Sequence, residues 1–158
     1  MTAENVGNLH LILGLITFGA VAWIFVWPRL KAAALKDALA ALLLFSAFRY
    51  TALQFVNPAV APNLAPGFAV PATIGDVSVG LLALAAAIVV RFHGFGVILA
   101  WLYAIAGSAD FVYAASQATV HKAADGIGAA WPVFNLGGPA WMVTLVLLFM
   151  TLIKNKNK

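Results

Sequence analysis

The chain has 158 residues, of which 64% are hydrophobic and 9% charged, and its mean hydropathy is +0.99. A soluble domain carries roughly 25% charged residues, so this composition excludes a soluble globular protein and predicts a single transmembrane domain over residues 1–158. The net charge of +4 does not indicate nucleic acid, because the basic residues stand at the ends of apolar runs, as membrane topology requires. Cysteine is absent, which excludes disulfides and thiol chemistry.

Five apolar runs divide the chain. Each holds roughly the 17–25 residues that a helix needs to cross a hydrocarbon layer, and the predicted spans are about Leu11–Trp27, Ala38–Val56, Ala72–Val90, Phe95–Gln117 and Val133–Ile153. The first run follows Glu4 and no basic residue, which indicates a retained helix rather than a cleaved signal peptide. The predicted fold is all-α, a polytopic membrane bundle of five transmembrane helices.

The basic residues predict the orientation of this bundle. With five spans, most of them fall on one side of the membrane and only Lys122 falls on the other. The positive-inside rule therefore places the N-terminus outside and the C-terminus in the cytoplasm, in a multi-pass protein of the inner (plasma) membrane. The residues that carry this prediction are Arg29, Lys31, Lys36, Arg91, Lys154, Lys156 and Lys158.

The first outer loop, Asn57–Pro71, is proline-rich and uncharged. It holds four of the seven prolines, and because each proline removes a backbone donor, the sequence predicts no regular helix here. Its apolar side chains, such as Leu64 and Phe68, favour a loop that lies on the membrane surface or folds over the mouth of the bundle. The alternative is a stiff connector with no other role.

The fifth span contains a predicted break at Gly137–Pro139. A proline inside a helix frees backbone carbonyls, and in a membrane helix those carbonyls must be satisfied by neighbours. A break of this kind faces protein or a water-lined cavity. A simple packing kink is the alternative.

One arginine and two aspartates lie inside the predicted spans. A charge at mid-membrane costs about 2.5–3.5 kcal/mol or more, so such residues normally face the bundle interior and are paired. At a rise of about 1.5 Å per residue, Arg49 lies about 10 Å below the outer end of its span, Asp76 about 6 Å and Asp110 about 10 Å. Because three helices bring their charges to one level, we predict a single polar site that opens outward.

Four further polar residues are assigned to this site by position. Tyr50 and Tyr113 stand on the polar faces of the second and fourth spans. His10 begins the first span, and Asn135 lies just inside the fifth. The predicted ligand-binding site therefore draws on all five helices and consists of Arg49, Asp76, Asp110, Tyr50, Tyr113, His10 and Asn135.

The charges of this site do not balance. One arginine against two aspartates leaves a surplus negative charge if both acids ionise, which a low-dielectric site resists. Either one aspartate keeps its proton, or a cation or basic ligand completes the set. We expect Arg49 to hold an anionic or carbonyl group and one aspartate to carry an exchangeable proton, available to a general acid or a proton relay.

Structural interpretations stand beside this one. Arg49 could bridge Asp76 and Asp110 only to fix helix packing, and a histidine near a span end, such as His10, is typically interfacial or hydrogen-bonded. Tyr103 is interpreted as a core or lipid-facing residue. A metal centre of His10 with the two aspartates is the weakest alternative, because a metal needs ligands at suitable distances from one another; no metal is predicted.

Known cofactor chemistry finds little support in the sequence. Only His10 lies at membrane depth, whereas a membrane b-type haem needs two histidines, and no span contains the lysine that retinal requires. Nucleotide-binding and metalloprotease motifs are absent. The sequence leaves both the cofactor and catalysis undecided.

Much of the chain resembles a group of small, hydrophobic bacterial multi-pass membrane proteins. The matching features are Arg49, the proline-bearing loop, Pro71-Ala72 followed by Gly75-Asp76, and Gly107 with Asp110. A histidine in the last helix of that group is Leu145 here, so no role of that histidine transfers. The resemblance implies a common bundle and adds weight to the three charges, but it implies no reaction.

These observations predict a membrane protein that binds a small ligand at the intramembrane site, with transport or modification of that ligand left open. The alternative is an accessory or scaffold subunit of a larger membrane complex, in which the three charges are purely structural. Small residues such as Gly14 and Gly80 would permit the close packing that a subunit needs. The predicted partners are the lipid bilayer, a small hydrophobic or anionic ligand, and a membrane-complex partner or a second copy of the chain; nucleic acid is not among them.

Overall fold

A computed structural model describes residues 2–156 of the chain. Over these residues the protein is all-helical, and five helical segments are long and apolar enough to cross a membrane, as predicted. Lys158 and the side chain of Lys156, both used to predict orientation, lie outside the described part. We name the segments 1 to 5: Ala3–Ala32, Leu35–Val56, Pro66–Phe92, Gly96–Val120 and Gly128–Lys154.

Segments 1 and 2 depart from regular α-helix. Segment 1 consists of α-helices Ala3–Val21 and Trp27–Ala32, joined by a π-helical turn at Ala22–Val26. Segment 2 changes from α-helix, Leu35–Ala47, to a 3-10 helix, Phe48–Val56. A 3-10 stretch of this length is uncommon, because its hydrogen bonds are less well aligned than those of an α-helix. Tertiary contacts therefore have to hold the outer half of segment 2.

Segments 3 and 4 are continuous α-helices, Pro66–Phe92 and Gly96–Val120. Segment 5 has a short 3-10 helix, Gly128–Ala130, and a π-helical turn, Val133–Gly137, before its long α-helix, Gly138–Lys156. The π-helical turn ends where the sequence predicts a break. Pro139 explains this position, because its nitrogen cannot donate to the carbonyl one turn earlier.

The first outer loop is shorter than predicted. The helix of segment 3 begins at Pro66, so the prediction that prolines prevent a regular helix as far as Pro71 is wrong. Pro66 stands in the first turn, where a backbone N–H has no helical partner in any case. Pro71 lies close to the helix start and removes only one backbone hydrogen bond. Only residues 57–65 remain as loop.

Segment 3 makes the most extensive contacts in the bundle. It packs against segments 2 and 4, while segment 5 packs against segments 1, 2 and 4. Much of the buried face of segment 3 is alanine, which lets neighbouring helices approach closely. At the end of the bundle that carries the C-terminus, the core combines these alanines with leucines of segments 2 and 5: Leu39, Leu43, Ala83, Ala86, Ala87, Leu145 and Leu148.

A second apolar cluster closes the opposite end, which carries loop 57–65 and which we call the outer end. The amide of Ala129 donates a hydrogen bond to the Val60 carbonyl at 2.9 Å. Gly128 has a φ of 53° there, and a Cβ on it would stand 2.7 Å from the same carbonyl oxygen. The loop therefore folds back onto the bundle, against the short α-helix Ala123–Gly126. The cluster consists of Ala52, Phe55, Ala61, Leu64, Phe68, Ala69, Ala72, Ala123, Ile127 and Ala130.

Segment 1 lies at the edge of the bundle. None of the residues in its longer helix, Ala3–Val21, is buried. It crosses segment 5 at Gly14, where an ideal Cβ would stand 2.9 Å from Cγ of Pro139 and 3.1 Å from its Cβ. The missing side chain of Gly14 therefore lets segment 1 approach the break in segment 5.

Replacing Gly14 with alanine is expected to weaken this crossing. The new methyl group would overlap the buried Pro139 ring, so we expect a loss of about 1–2 kcal/mol in the free energy of unfolding. Thermal unfolding in detergent measures the loss. Gly19→Ala on the same segment is the control, since within residues 2–156 no atom beyond the adjacent backbone of its own helix lies within 4 Å of its ideal Cβ. Equal midpoints for the two variants would show that the crossing is not closely packed.

Candidate functional site

Arg49 lies just after the point where segment 2 changes to 3-10 geometry. Residues three apart lie on one face of a 3-10 helix, and the buried residues of Phe48–Val56 are Arg49, Ala52 and Phe55. Ser46, three residues before Arg49, is also buried and extends this face into the α-helix. This spacing of three residues turns the Arg49 side chain into the bundle, where only 1% of it is exposed.

The Arg49 guanidinium contacts both aspartates of the predicted spans. Its Nε donates to Oδ1 of Asp76 at 2.6 Å, and its Nη2 donates to Oδ2 of Asp110. A longer contact joins Nη1 to the carbonyl oxygen of Gly107 at 3.4 Å. The aspartate side chains are 12% and 10% exposed. Segments 2, 3 and 4 thus bring three charges together, as their common depth predicts, and we call Arg49, Asp76 and Asp110 the Arg49 cluster.

An aromatic ring covers one face of the guanidinium. Cζ of Arg49 lies 4.3 Å from the centre of the Phe111 ring, a distance at which the ring face attracts a cation. Phe111 was not among the predicted site residues. Its place next to Asp110 is the one signal in the sequence that could have indicated it.

Two glycines make room for the Arg49 cluster. A Cβ on Gly75 would stand 1.9 Å from Oδ1 of Asp110, and a Cβ on Gly107 would stand 3.3 Å from Nη1 of Arg49. Both glycines belong to the short motifs on which the family resemblance rests. Their lack of a side chain lets segments 3 and 4 approach until both carboxylates reach one guanidinium.

Tyr103 is a polar neighbour of the cluster that was not among the predicted site residues. It is fully buried, which confirms a core position and excludes a lipid-facing one. A Cβ on Gly107 would lie 3.4 Å from Cε2 of Tyr103, so the tyrosine ring and the guanidinium border the same point. Its hydroxyl has no hydrogen-bond partner among the described residues. A buried polar group without a partner costs about 1–3 kcal/mol, which marks Tyr103 as a candidate functional residue.

The structure places Tyr50 and Tyr113 outside the Arg49 cluster, contrary to the prediction. Their exposed fractions are 47% and 48%. The spacing of three residues that buries Arg49 puts Tyr50 on the outer face, where its ring lies 5.9 Å from that of Phe48. Tyr113 stands on the exposed outer half of segment 4. A face assigned from α-helical spacing was therefore wrong for a segment that is not α-helical.

His10 and Asn135 make no hydrogen bond to the cluster among the described residues. The ring of the exposed His10 is 6.0 Å from that of Trp131, and its Nδ1 is 3.0 Å from the carbonyl oxygen of Val6. Asn135 is buried at the crossing of segments 1 and 5, and its Oδ1 has no partner among the described residues. Within residues 2–156, no three His, Asp or Glu side chains are grouped closely enough to hold a metal ion.

A cavity of about 430 Å³ opens at the outer end between segments 1 and 4. Its segment 4 wall is formed by Ala115, Ala118 and Thr119, which stand four, seven and eight residues after Phe111 and so share its helix face. Phe111 occupies the next inward position on that face. The remaining wall is mixed polar and apolar and includes Glu4, Asn8, Leu11, Lys122, Asp125 and Phe134.

Fold and site together define a small all-helical protein with five membrane-length helices and a buried cluster of one arginine and two aspartates. The chain belongs to the family described as a domain of unknown function (DUF8737), whose model matches residues 6–153. The match reaches all five segments and includes the whole Arg49 cluster. Comparison with curated proteins and with solved structures gives no match.

Proposed function

We propose that this chain is a multi-pass protein of the inner membrane that binds a small ligand at the Arg49 cluster in exchange for a proton. The observation that supports this most is the cluster itself, one guanidinium held between two buried carboxylates. It lies in helices long and apolar enough to cross a membrane. The distribution of basic residues supports an outward N-terminus and a cytoplasmic C-terminus, with the cluster nearer the outside.

The charge balance suggests the chemical class of the ligand. The cluster has one more carboxylate than it has cations, and a low-dielectric site resists this surplus charge. One carboxyl therefore holds a proton at rest, and an entering cation replaces that proton. Nε and Nη2 of Arg49 are already engaged by carboxylates, which favours a cationic ligand over the anionic or carbonyl group expected from the sequence.

The cavity at the outer end lies further along segment 4 than the cluster, and no residue of the cluster lines it. Asp110 and Phe111 lie one to two turns inward from the segment 4 residues that line the cavity. Asp110 is the acid carried by the segment that lines this cavity, and we assign the exchangeable proton to it. The Phe111 ring rests on the guanidinium, so a ligand that reaches Arg49 from this side has to displace it.

Asp110→Asn is expected to abolish proton release on cation binding. In lightly buffered nanodiscs, titration with sodium, ammonium or tetramethylammonium is expected to release about one proton per wild-type chain, because binding a cation expels the proton from the pair of carboxyls. A pH-indicator dye measures the release. The asparagine variant has no such proton to give.

The matched control for this measurement is Asp37→Asn. Asp37 is an exposed acid at the opposite end of the bundle, paired with Arg91, and its loss is expected to leave proton release unchanged. No release from the wild type with any of the three cations would contradict the proposal.

A second candidate function is an accessory or scaffold subunit of a membrane complex. Two observations favour it: the Arg49 guanidinium links three helices by donating to Asp76, Asp110 and the Gly107 carbonyl, and helix Ala3–Val21 buries none of its residues. Cross-linking and native mass spectrometry from membranes separate the two functions. A stable stoichiometric partner would favour the subunit, and a single chain with a co-purified small molecule would favour the ligand site.

A further inference from the structure

A small groove of about 80 Å³ lies at the inner end of the bundle, far along the helices from the Arg49 cluster. It forms where the end of segment 1, the start of segment 2 and the end of segment 5 meet. Two lysines border it, Lys31 from segment 1 and Lys154 from segment 5. Both residues are exposed, so their ammonium groups are accessible to a partner outside the chain.

No carboxylate of the described chain neutralises these two lysines. The acidic side chain closest to the groove in sequence is Asp37, which pairs with Arg91. Within residues 2–156, the ion pairs involve Arg49 and Arg91 as the cations, and neither Lys31 nor Lys154 takes part in one. Two positive charges therefore border one groove and remain available to an anion.

The rest of the groove has the character of the membrane interface. Its walls include Trp27, Leu30 and Leu35, and Nζ of Lys31 lies 5.8 Å from the centre of the Trp27 ring. A tryptophan beside basic residues at the end of a membrane-length helix is typical of the headgroup level of a bilayer. The leucines supply an apolar surface next to the two charges, as a molecule with a charged head and an acyl chain requires.

We propose that this groove binds the phosphate headgroup of an anionic phospholipid, with Lys31 and Lys154 on the phosphate. The proposal rests on the membrane insertion proposed above, and it does not depend on the proton or the ligand of the Arg49 cluster. The bound headgroup joins segment 1, which packs mainly on segment 5, to the end of that segment. The lipid thereby helps to hold a peripheral helix in the bundle.

Native mass spectrometry of the full chain tests this proposal. The protein is released from micelles that contain equal amounts of phosphatidylglycerol and phosphatidylcholine with identical acyl chains. The wild type is expected to retain phosphatidylglycerol preferentially. Lys31→Ala and Lys154→Ala are each expected to lower the affinity for phosphatidylglycerol about fivefold, the effect of removing one basic side chain near an anionic membrane surface.

Matched variants show whether the lipid binds in this groove or is only attracted by the positive charge at this end of the bundle. Lys36→Ala removes the same charge at the same end but from a residue outside the groove, and it is expected to change the affinity little. Lys31→Arg keeps the charge and is expected to retain the lipid, which would assign a loss in Lys31→Ala to the missing charge. Equal losses from Lys36→Ala and Lys31→Ala, or no preference of the wild type for phosphatidylglycerol, would overturn the proposal.

A separate titration with inorganic phosphate shows whether the groove binds the phosphate of a lipid headgroup or a soluble phosphate ion. Phosphate that displaces phosphatidylglycerol and itself binds with the same dependence on both lysines would assign the groove to a soluble anion and overturn the lipid assignment. Retention of phosphatidylglycerol in excess phosphate supports it. Proton release by Lys31→Ala is expected to equal that of the wild type, so a failure of this site is distinguishable from a failure of the Arg49 cluster.

Discussion

Arg49→Ala is expected to lower the free energy of unfolding by about 3–5 kcal/mol, because removing one partner leaves buried charges uncompensated. A second cost adds to this loss, because Asp76 and Asp110 would face each other without the guanidinium between them. The Phe111 ring also loses the cation on its face. Thermal unfolding of detergent-purified protein measures the change.

The control for this prediction is Arg91→Ala. Arg91 pairs with Asp37 where both side chains are about half exposed, and such a pair contributes only about 0–1 kcal/mol. Arg49→Lys is expected to fall between the two, because an ammonium keeps the charge but cannot direct separate donors to two carboxylates. Equal midpoints for Arg49→Ala and Arg91→Ala would show that the cluster is not a buried ion pair.

A variant with leucine at all three positions of the Arg49 cluster separates stability from function. Replacing a whole buried ion cluster with apolar side chains is often neutral or stabilising. We therefore expect the triple variant to fold, while it releases no proton when cations are added. A triple variant that still releases protons would move the proposed site elsewhere in the chain.

Gly75→Ala is expected to produce the second largest effect, a loss of about 3 kcal/mol, because it separates a buried carboxylate from its partner. The added methyl group would stand 1.9 Å from Oδ1 of Asp110, so this carboxylate has to leave its position. Unfolding midpoints measure the loss. Gly19→Ala, with open space around its Cβ, is expected to be neutral or stabilising by up to about 1 kcal/mol, since alanine favours helix.

The double variant Gly75→Ala with Asp110→Ala tests the cause of this loss. If the clash with Asp110 is responsible, Gly75→Ala costs little once the carboxylate is gone, and the two effects are not additive. Full additivity would mean that Gly75 acts through some other contact.

The sequence predicted the helices and the meeting of three charges because both depend on local properties. Five apolar runs set the number of segments, and a similar depth of Arg49, Asp76 and Asp110 follows from the predicted span ends and the helical rise. The start of segment 3 at Pro66 did not follow, because proline is unfavourable in a helix interior but well suited to its first turn.

The neighbours of the three charges could not be predicted in the same way. Tyr50 was placed in the site because segment 2 was treated as α-helical, and only tertiary packing imposes the 3-10 geometry that turns it outward. Phe111 and Gly75 act through contacts between segments. Residue spacing within one helix does not predict such contacts. In the sequence, Tyr103 cannot be told from any other aromatic residue of the core. Its hydroxyl without a partner is evident only from the structure.

Infrared spectroscopy of the protein in lipid nanodiscs at neutral pH measures most directly whether the Arg49 cluster holds a proton. The carbonyl stretch of a protonated carboxylic acid is separate from the bands of carboxylates. One guanidinium against two carboxyls predicts such a band in the wild type, its loss in both Asp76→Asn and Asp110→Asn, and its retention in Asp37→Asn. A folded wild type without this band would contradict the proposed proton.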